Sequence, residues 1–600
     1  MQVMLDQTFE RTADRLVREL GVDAHRQSEI EIWLFEDTAK RQAVQARLLA
    51  LGVHAKVFSA YKPLVHFFVD EARAEGLQRV RIVYPRHAAC VANRFLLEAY
   101  PLTDLFPGVD VAFTQAVETS IESYYQVKLV YKDGAEDHRV FAPNVLRQDF
   151  LGLNVYAPSA WLKVKSRGQI SNMAILADYQ QAYQAVMDAV DKHDWGQTEP
   201  YFDRLTVVLS LPGIERKLSC GEELISTSEA MHEEIYFSLL EFFQSYSGRA
   251  QGSRGLQPGQ IVPDIRLDNE GTPCAKVTLE PPTAFHTEAP GVDPVLLSRT
   301  PIIGEAVELD GVDRPLALQQ VERALQTFPG QHFAFWSRQG RAVNGVYHRG
   351  NAPAVFISGA QHANETSGVV GALRAAQQLG DDVDAHFVMV PLENPDGYAM
   401  HQALCTTHPT HMHHAARYTA LGDDLEYRER APWFERAARD HAFEISRSQL
   451  HLNLHGYPAH EWTRPCTGYL PRGFELWSIP KGFFLILRYK SDYKEAALNL
   501  LEYVTGKLAE DARLMAYNAA QLRRYQRYSA TQPFQVRHGI PYTATQAPNQ
   551  SPGVTLITEF PDETIYGDEF VFAHTMQTRT VLLASKWWWA NAPLRSGAKD

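Results

Sequence analysis

The 600-residue sequence predicts a multidomain α/β protein. Strand-type and helix-type segments alternate through the first hundred residues, which is typical of layered α/β architectures. After residue 311, four strand-type segments each end in polar residues. A single core stops growing near ~250–300 residues, so this chain needs more than one domain. We predict a small layered α/β domain over 1–105, a mixed α+β accessory domain over 106–310, and a larger α/β domain over 311–600.

The first 105 residues carry the alternation most clearly. A β-rich run at 29–35 (EIEIWLF) precedes a helical segment at 41–52, and a second strand-type segment follows at 54–59 (HAKVFS). Neither G-x-G-x-x-G nor G-x-x-x-x-G-K-[ST] occurs there, so the pattern gives no indication of a nucleotide site.

The middle of the chain predicts strands and one long helix. The segment 228–246 (SEAMHEEIYFSLLEFFQSY) has the spacing of a helix that is buried on one face. Two stretches rich in Gly, Pro and small residues, near 247–260 and 281–294, predict linkers. We expect a structural role for this half of the chain, such as shaping a cleft.

The composition argues against several functions. A net charge of −13 without a Lys/Arg cluster argues against nucleic-acid binding. No run of ~18 apolar residues occurs, so we expect no membrane span. Five scattered cysteines without a C-x-x-C motif predict free thiols and a reducing, cytoplasmic location. The sequence leaves the oligomeric state open, a homo-oligomer included.

Polar residues that can carry chemistry follow four of the predicted strands. His362 and Glu365 follow PAVFISG, Asn394 begins an N-P-D-G motif after HFVMVPLE, His455 follows LNL, and Glu559 follows TLIT. In α/β sheets, ligands bind beyond the carboxyl ends of the strands. If these strands are neighbours in one sheet, the four ends converge on one site.

Three of these residues have the composition of a catalytic zinc site. In H-x-x-E, residues i and i+3 of a turn project to the same side, so His362 and Glu365 can bind one ion. His455 completes a set of two nitrogens and one carboxylate, which leaves a fourth position for water. In a chain with 23 His, an isolated H-x-x-E motif is weak evidence for metal binding. The prediction of one Zn²⁺ therefore depends on all four strand ends.

Four segments together resemble the zinc metallocarboxypeptidases, the carboxypeptidase A-like peptidases. They are 336–368 (WSRQGRAVNGVYHRGNAPAVFISGAQHANETSG), ENPDGY, LNLHGY and TLITEF, within about 311–590. The resemblance implies an α/β/α sandwich with a mixed, mostly parallel sheet of about eight strands. It also implies Glu559 as the general base for a metal-bound water, and by its position Arg417 as the cation that stabilises the oxyanion.

The substrate-binding residues depart from the family pattern. Glu426 and Tyr427 stand where the family has an Asn-Arg pair that binds the terminal carboxylate. Arg428 can replace that arginine after a shift of one residue. Tyr542 falls near the family's mobile tyrosine, although a packed turn residue is the simpler interpretation. Asn394 of the N-P-D-G motif completes the predicted substrate-binding set.

We therefore predict a zinc metallopeptidase that hydrolyses an amide at or near the C-terminus of a peptide. One alternative is a deacylase or amidase that acts on N-acyl amino acids or modified peptides. A second is a non-catalytic binding module on a peptidase scaffold. The His-rich stretch 401–414 predicts a solvated loop at the cleft rather than a second metal site. We expect His460 to pack in a loop or to contact the substrate. Asp562 and Glu563 are expected to be solvated.

Overall fold

The computed structural model describes residues 1–119, 122–166, 169–283, 308–529, 531–550 and 552–593. Most of the second predicted linker, 281–294, lies outside these residues. All five cysteines are free thiols, as the sequence predicted. Within the described ranges, every helix is too short or too polar to cross a bilayer.

The first 283 residues form three four-stranded sheets, two short hairpins and seven α-helices within the described ranges. The strands are β1 (Gln2–Thr8), β2 (Glu29–Leu34), β3 (Ala55–Ser59), β4 (Leu77–Arg86), β5 (Asp110–Thr119), β6 (Tyr124–Tyr131), β7 (Ala135–Phe141), β8 (Asn144–Gln148), β9 (Asn154–Pro158), β10 (Ala160–Ser166), β11 (Gln169–Ile175), β12 (Arg204–Leu211), β13 (Glu215–Lys217), β14 (Leu224–Ser226), β15 (Gln260–Leu267) and β16 (Cys274–Glu280). The helices are α1 (Thr12–Leu20), α2 (Thr38–Ala50), α3 (Pro63–His66), α4 (Arg94–Glu98), α5 (Leu102–Leu105), α6 (Asp178–Asp191) and α7 (Thr227–Tyr246).

The sheets of this half do not follow the predicted boundary at residue 105. Strand β1 lies in the sheet β1-β16-β12-β15, β2 and β3 lie in β11-β10-β2-β3, and β4 lies in β5-β4-β6-β7. Each strand from the first 105 residues therefore completes a sheet with strands from later in the chain. Local alternation predicted β2, α2 and β3, but it carries no information on strand pairing between residues more than a hundred positions apart.

Helix α7 is buried around nearly its whole circumference, not on one face as predicted. Its N-terminus is capped by Ser226, whose side chain accepts a hydrogen bond from Glu229 N at 3.0 Å. Buried carboxylates need partners, and those of α7 find them in the C-terminal half. Glu229 binds His460, Glu233 binds His414, and Glu241 binds Arg464. The helix therefore joins the two halves of the protein.

The C-terminal half is built on one mixed sheet of nine strands, one more than predicted. Its strands are β17 (Gln331–Trp336), β18 (Ala342–His348), β19 (Val355–Gly359), β20 (Phe387–Val390), β21 (Leu450–Pro458), β22 (Phe484–Tyr489), β23 (Gln535–Arg537), β24 (Ile540–Gln546) and β25 (Val554–Glu563). The spatial order is β17-β18-β20-β19-β21-β25-β22-β24-β23. Four pairings are parallel and four antiparallel, so the sheet is mixed but not mostly parallel.

Helices cover both faces of this sheet. They are α8 (Leu318–Gln326), α9 (Ser367–Leu379), α10 (Pro395–Cys405), α11 (Glu435–Ser446), α12 (Lys494–Leu508), α13 (Ala512–Tyr528) and α14 (Asp568–Asn591). Helices α9, α12 and α14 pack on one face of the sheet, and α11 packs on the other. The parallel strands β19, β21 and β25 are adjacent, so their carboxyl ends meet at one edge.

Candidate metal and catalytic site

The structure brings His362, Glu365 and His455 together at that edge. The Nδ1 atom of His362 lies 2.9 Å from Glu365 Oε1, and Nδ1 of His455 lies 2.8 Å from Glu365 Oε2. The two Nδ1 atoms are 3.1 Å apart, and all three residues are buried. Among the described residues, this is the one group of His, Cys, Asp or Glu whose potential ligand atoms cluster closely enough to hold a metal ion.

The local chain geometry holds the H-x-x-E turn in place. Glu365 N donates to His362 O at 3.2 Å, and α9 begins two residues later. Asp562 accepts a hydrogen bond from Ser367 N at 2.8 Å, which satisfies a free donor in the first turn of that helix. Asp562 is thus buried in a structural contact, and the prediction that it is solvated is wrong.

The donor set fits zinc. Ligand atoms on a tetrahedral zinc ion, with bonds of ~2.0–2.2 Å, are about 3.4 Å apart. One potential ligand atom from each of the three residues lies within 4.8 Å of the others, so a small shift of the side chains accommodates such an ion. Burial raises the pKa of Glu365, but His362 and His455 outweigh it and hold that pKa well below the usual range. Burial also lowers the pKa of His455, which favours the neutral imidazole that binds metals.

Asp424 orients the first imidazole. Its Oδ2 lies 3.2 Å from His362 Nε2, so that nitrogen carries the proton and Nδ1 keeps its lone pair for a metal. Its Oδ1 accepts hydrogen bonds from Gln361 Nε2 at 2.8 Å and from Glu426 N at 3.1 Å. Burial raises the pKa of Asp424, but the nearby His362 outweighs it and keeps the carboxylate ionised.

Glu559 stands beside the third ligand. Strands β21 and β25 are parallel, and His455 pairs with Glu559 in their register, so both side chains project from the same face. Burial and the negative charge of Glu365 raise the pKa of Glu559 well above its usual value, while Arg417 and Lys481 act in the opposite direction. A carboxyl group whose pKa is raised in this way is suited to taking up and returning a proton.

Arg417 reaches the same cluster. Its guanidinium donates to Glu365 Oε1 at 3.0 Å. It follows a 3₁₀ turn at His414–Ala416, where Glu233 of α7 binds His414 Nδ1 at 2.7 Å. Helix α7 therefore helps to place the one arginine that contacts the candidate ligands within the described ranges.

The structure does not bring the predicted substrate-binding residues to the cluster. Asn394 caps α10 and donates to Tyr418 O at 3.0 Å, so its amide is used within the protein. Arg428 is fully buried and binds Asp423, Glu435 and Thr419, along with a backbone carbonyl. Leu485 pairs with Tyr542 on one side and with Thr558 on the other, so the side chains of Tyr542 and Thr558 lie on the same face of the sheet. Glu559, the next residue along β25, points to the opposite face. The hydroxyl of Tyr542 binds Gln535.

The His-rich stretch is packed, not solvated as predicted. His401, His411, His413 and His414 are all buried, because the stretch docks against α7 and its neighbours. His460 also packs against α7: its Nε2 lies 2.9 Å from Glu229, which outweighs burial and raises the pKa of His460 to about 8. Glu563 is buried too, contrary to expectation, and burial raises its pKa to about 7.

Two residues near the cluster were missed by sequence reasoning. Asp424 carries a weak signal, since it lies in an acidic segment that departs from the family pattern. Arg254 carries none, because it lies in a stretch predicted as a linker. Its carbonyl accepts a hydrogen bond from Asp424 N at 2.9 Å, so that stretch is docked at the site.

Comparison with known proteins confirms the resemblance predicted from the motifs. The model of the zinc carboxypeptidase family matches residues 323–436, which include the H-x-x-E pair and Arg417. His455 and Glu559 lie beyond the matched segment. The match supports a metallopeptidase and implies zinc. The chain matches no curated protein.

Solved metallo-carboxypeptidases are distantly similar to this chain. One from Pseudomonas aeruginosa is 16% identical over 45% of this chain and 69% of its own, with a TM-score of 0.29. One from Burkholderia cenocepacia is 13% identical over 46% and 69%, with a TM-score of 0.29. Carboxypeptidase A from Helicoverpa armigera is 11% identical over 60% and 95%, with a TM-score of 0.31.

Proposed function

We propose that this protein is a zinc metallopeptidase that hydrolyses an amide bond at or near the C-terminus of a peptide. The observation that carries the proposal is the convergence of His362, Glu365 and His455, with Glu559 in register beside His455. The three ligands and Glu559 come from three separate places in the sequence, and a structural role alone gives no reason for the ligand atoms to face each other.

In this proposal His362, Glu365 and His455 would hold one zinc ion. When bound there, zinc would lower the pKa of a water molecule toward ~7 and polarise a carbonyl oxygen. Glu559 removes the proton from the attacking water and returns it to the leaving amine, because its carboxylate lies beside the ligands. Asp424 keeps His362 in the tautomer that binds zinc. Arg417 stabilises the negative charge that develops on the carbonyl oxygen.

The test compares the native protein with Glu559→Gln on a broad amide panel. Removing a general base lowers turnover by roughly 10²–10⁴-fold. We expect Glu559→Gln to retain one equivalent of zinc and to lose turnover by that factor. Glu569→Gln is the matched control, since Glu569 is half exposed on α14 and pairs with Arg513. Equal turnover in Glu559→Gln and the native protein would contradict the proposed base.

The panel also separates the alternatives. It contains free-acid peptides, peptides with C-terminal amides and N-acyl amino acids. Hydrolysis of N-acyl amino acids alone would favour a deacylase. Full zinc occupancy without hydrolysis of any member would favour a binding module and contradict the peptidase.

A further inference from the structure

In the C-terminal half, the arginines around the candidate ligands already have partners, and the proposal assigns Arg417 to the oxyanion, so the described residues of this half leave no arginine for a substrate carboxylate. Among the described residues, each arginine of that half around the ligands is already hydrogen-bonded to a carboxylate. The pairs are Arg417 with Glu365, Arg428 with Asp423, Arg439 with Glu393, and Arg488 with Glu426.

Arg254 differs from these arginines. It belongs to the N-terminal part of the chain, residues 1–283, which we call the accessory half. Its side chain is 36% exposed. Its nearest carboxylate oxygen, Asp424 Oδ2, lies 3.8 Å from its NH1, which is longer than a hydrogen bond. Asp424 in turn binds His362, so Arg254 lies one residue away from a candidate zinc ligand. Within the described ranges, its guanidinium donates no hydrogen bond, and such a partly exposed group next to the site can bind an anionic group.

The backbone around Arg254 is fixed. Asp424 N donates to Arg254 O at 2.9 Å, Gln257 Nε2 donates to Asp423 at 3.0 Å, and Gly259 N donates to Leu421 O at 2.9 Å. These three bonds dock the segment 254–259 along the segment 421–424. The guanidinium also lies over the ring of Tyr427, 5.5 Å from its centroid, which restricts the side chain further.

Two neighbouring residues, Tyr427 and Glu426, affect what the guanidinium of Arg254 can bind. Tyr427 stands at the position where the sequence comparison expected an arginine, and here its ring supports an arginine from another part of the chain. The carboxylate of Glu426 would repel an anionic substrate, but Arg488 lies 2.6 Å from it and offsets its charge. Arg254 and Arg488 thus each face one carboxylate, Asp424 and Glu426, and Arg254 is not hydrogen-bonded to its own.

We propose that Arg254, supplied by the accessory half and supported by Tyr427, binds a carboxylate of the substrate residue that is released. A guanidinium can bind a carboxylate through two parallel hydrogen bonds, which fixes the orientation of the substrate relative to the zinc site. The accessory half then contributes directly to specificity. This inference rests on the proposed peptidase function.

The experiment measures kcat/KM for a pool of free-acid peptides and for the same peptides as C-terminal amides. Hydrogen bonds to charged groups are the strong ones, so losing this contact should cost roughly 10–100-fold. We expect Arg254→Met to lower kcat/KM by that factor on the acids, mainly through KM, and by less than about threefold on the amides. Arg254→Lys should recover part of the loss, because it keeps the charge but not the planar fork.

Three controls isolate the contact. Arg430→Met removes a 68% exposed arginine of the neighbouring loop and should leave both substrates unchanged. Tyr427→Leu should weaken the acids selectively, whereas Tyr427→Phe should not. Zinc content must stay at one equivalent in every variant, because Arg254 also lies near Asp424.

Binding measurements distinguish the role of Arg254 from the proposed peptidase function. In the Glu559→Gln background, calorimetry with the acid and amide pools should give a preference for acids that Arg254→Met abolishes. If the native protein hydrolyses the acids but Arg254→Met keeps the same acid-to-amide ratio, the role of Arg254 is refuted and the peptidase stands. If the zinc-loaded native protein hydrolyses neither pool, the peptidase is refuted and this inference with it.

Discussion

Replacing Asp424 with Asn should weaken zinc binding without unfolding the protein. Asp424 accepts hydrogen bonds from three donors: His362 Nε2, Gln361 Nε2 and Glu426 N. An Asn side chain has the same shape but only one acceptor oxygen. Either its NH₂ group faces His362, or it faces the other two donors. One orientation destroys the hydrogen bond that keeps the His362 Nδ1 lone pair free, and the other leaves buried donors unpaired.

The magnitude follows from the role of Asp424. Loss of a residue that supports a metal ligand costs 10–100-fold in metal affinity or activity, which is about 1.4–2.7 kcal/mol. The assay is competition for zinc with a calibrated chelator, together with thermal unfolding of the metal-free protein. Asp440→Asn is the control, because Asp440 is half exposed and pairs with Arg436 on α11, away from the candidate ligands. Unchanged zinc affinity in Asp424→Asn would refute the reasoning about the tautomer of His362.

Further predictions concern the other buried contacts. The folded pKa of His460 is raised to about 8 from 6.5, so its pair with Glu229 stabilises the fold fully below pH 6.5 and loses this effect as the pH rises through 8. The free energy of unfolding should therefore fall by about 2 kcal/mol between pH 6 and pH 9, measured by urea unfolding. This loss should be absent in His460→Gln. Arg428→Met should cost ~3–5 kcal/mol of stability by leaving two buried carboxylates unpaired, and a raised KM at unchanged stability would instead restore its predicted substrate role. Tyr542→Phe should leave kcat and KM unchanged, and a tenfold fall in kcat would contradict its placement on the far face of the sheet.

The metal cluster could be predicted because it depends on local patterns. His362 and Glu365 follow β19, whereas His455 and Glu559 lie within the last part of β21 and β25. Parallel neighbouring strands bring their carboxyl ends together whatever the remaining fold does. The same logic failed for the substrate-binding set. Arg428 and Asn394 have the right chemistry in the sequence, but their hydrogen bonds are used within the protein, and only the three-dimensional packing decides that.

The accessory half illustrates a different limit. Helix α7 was predicted from local periodicity, but its charged residues suggested one solvated face. Their partners, His460, His414 and Arg464, lie about 180 to 230 residues further along the chain. Likewise, the Gly-rich composition around Arg254 predicts a linker, since composition does not record that its backbone hydrogen-bonds the loop beside the candidate metal site.

The most direct measurement is anomalous diffraction at the zinc absorption edge from crystals of the zinc-loaded protein. A single strong peak should lie ~2.0–2.2 Å from Nδ1 of His362, Nδ1 of His455 and a carboxylate oxygen of Glu365. The peak should disappear in His455→Ala crystals. A peak elsewhere with none between these three side chains would contradict the assignment of the metal site and, with it, the proposed reaction.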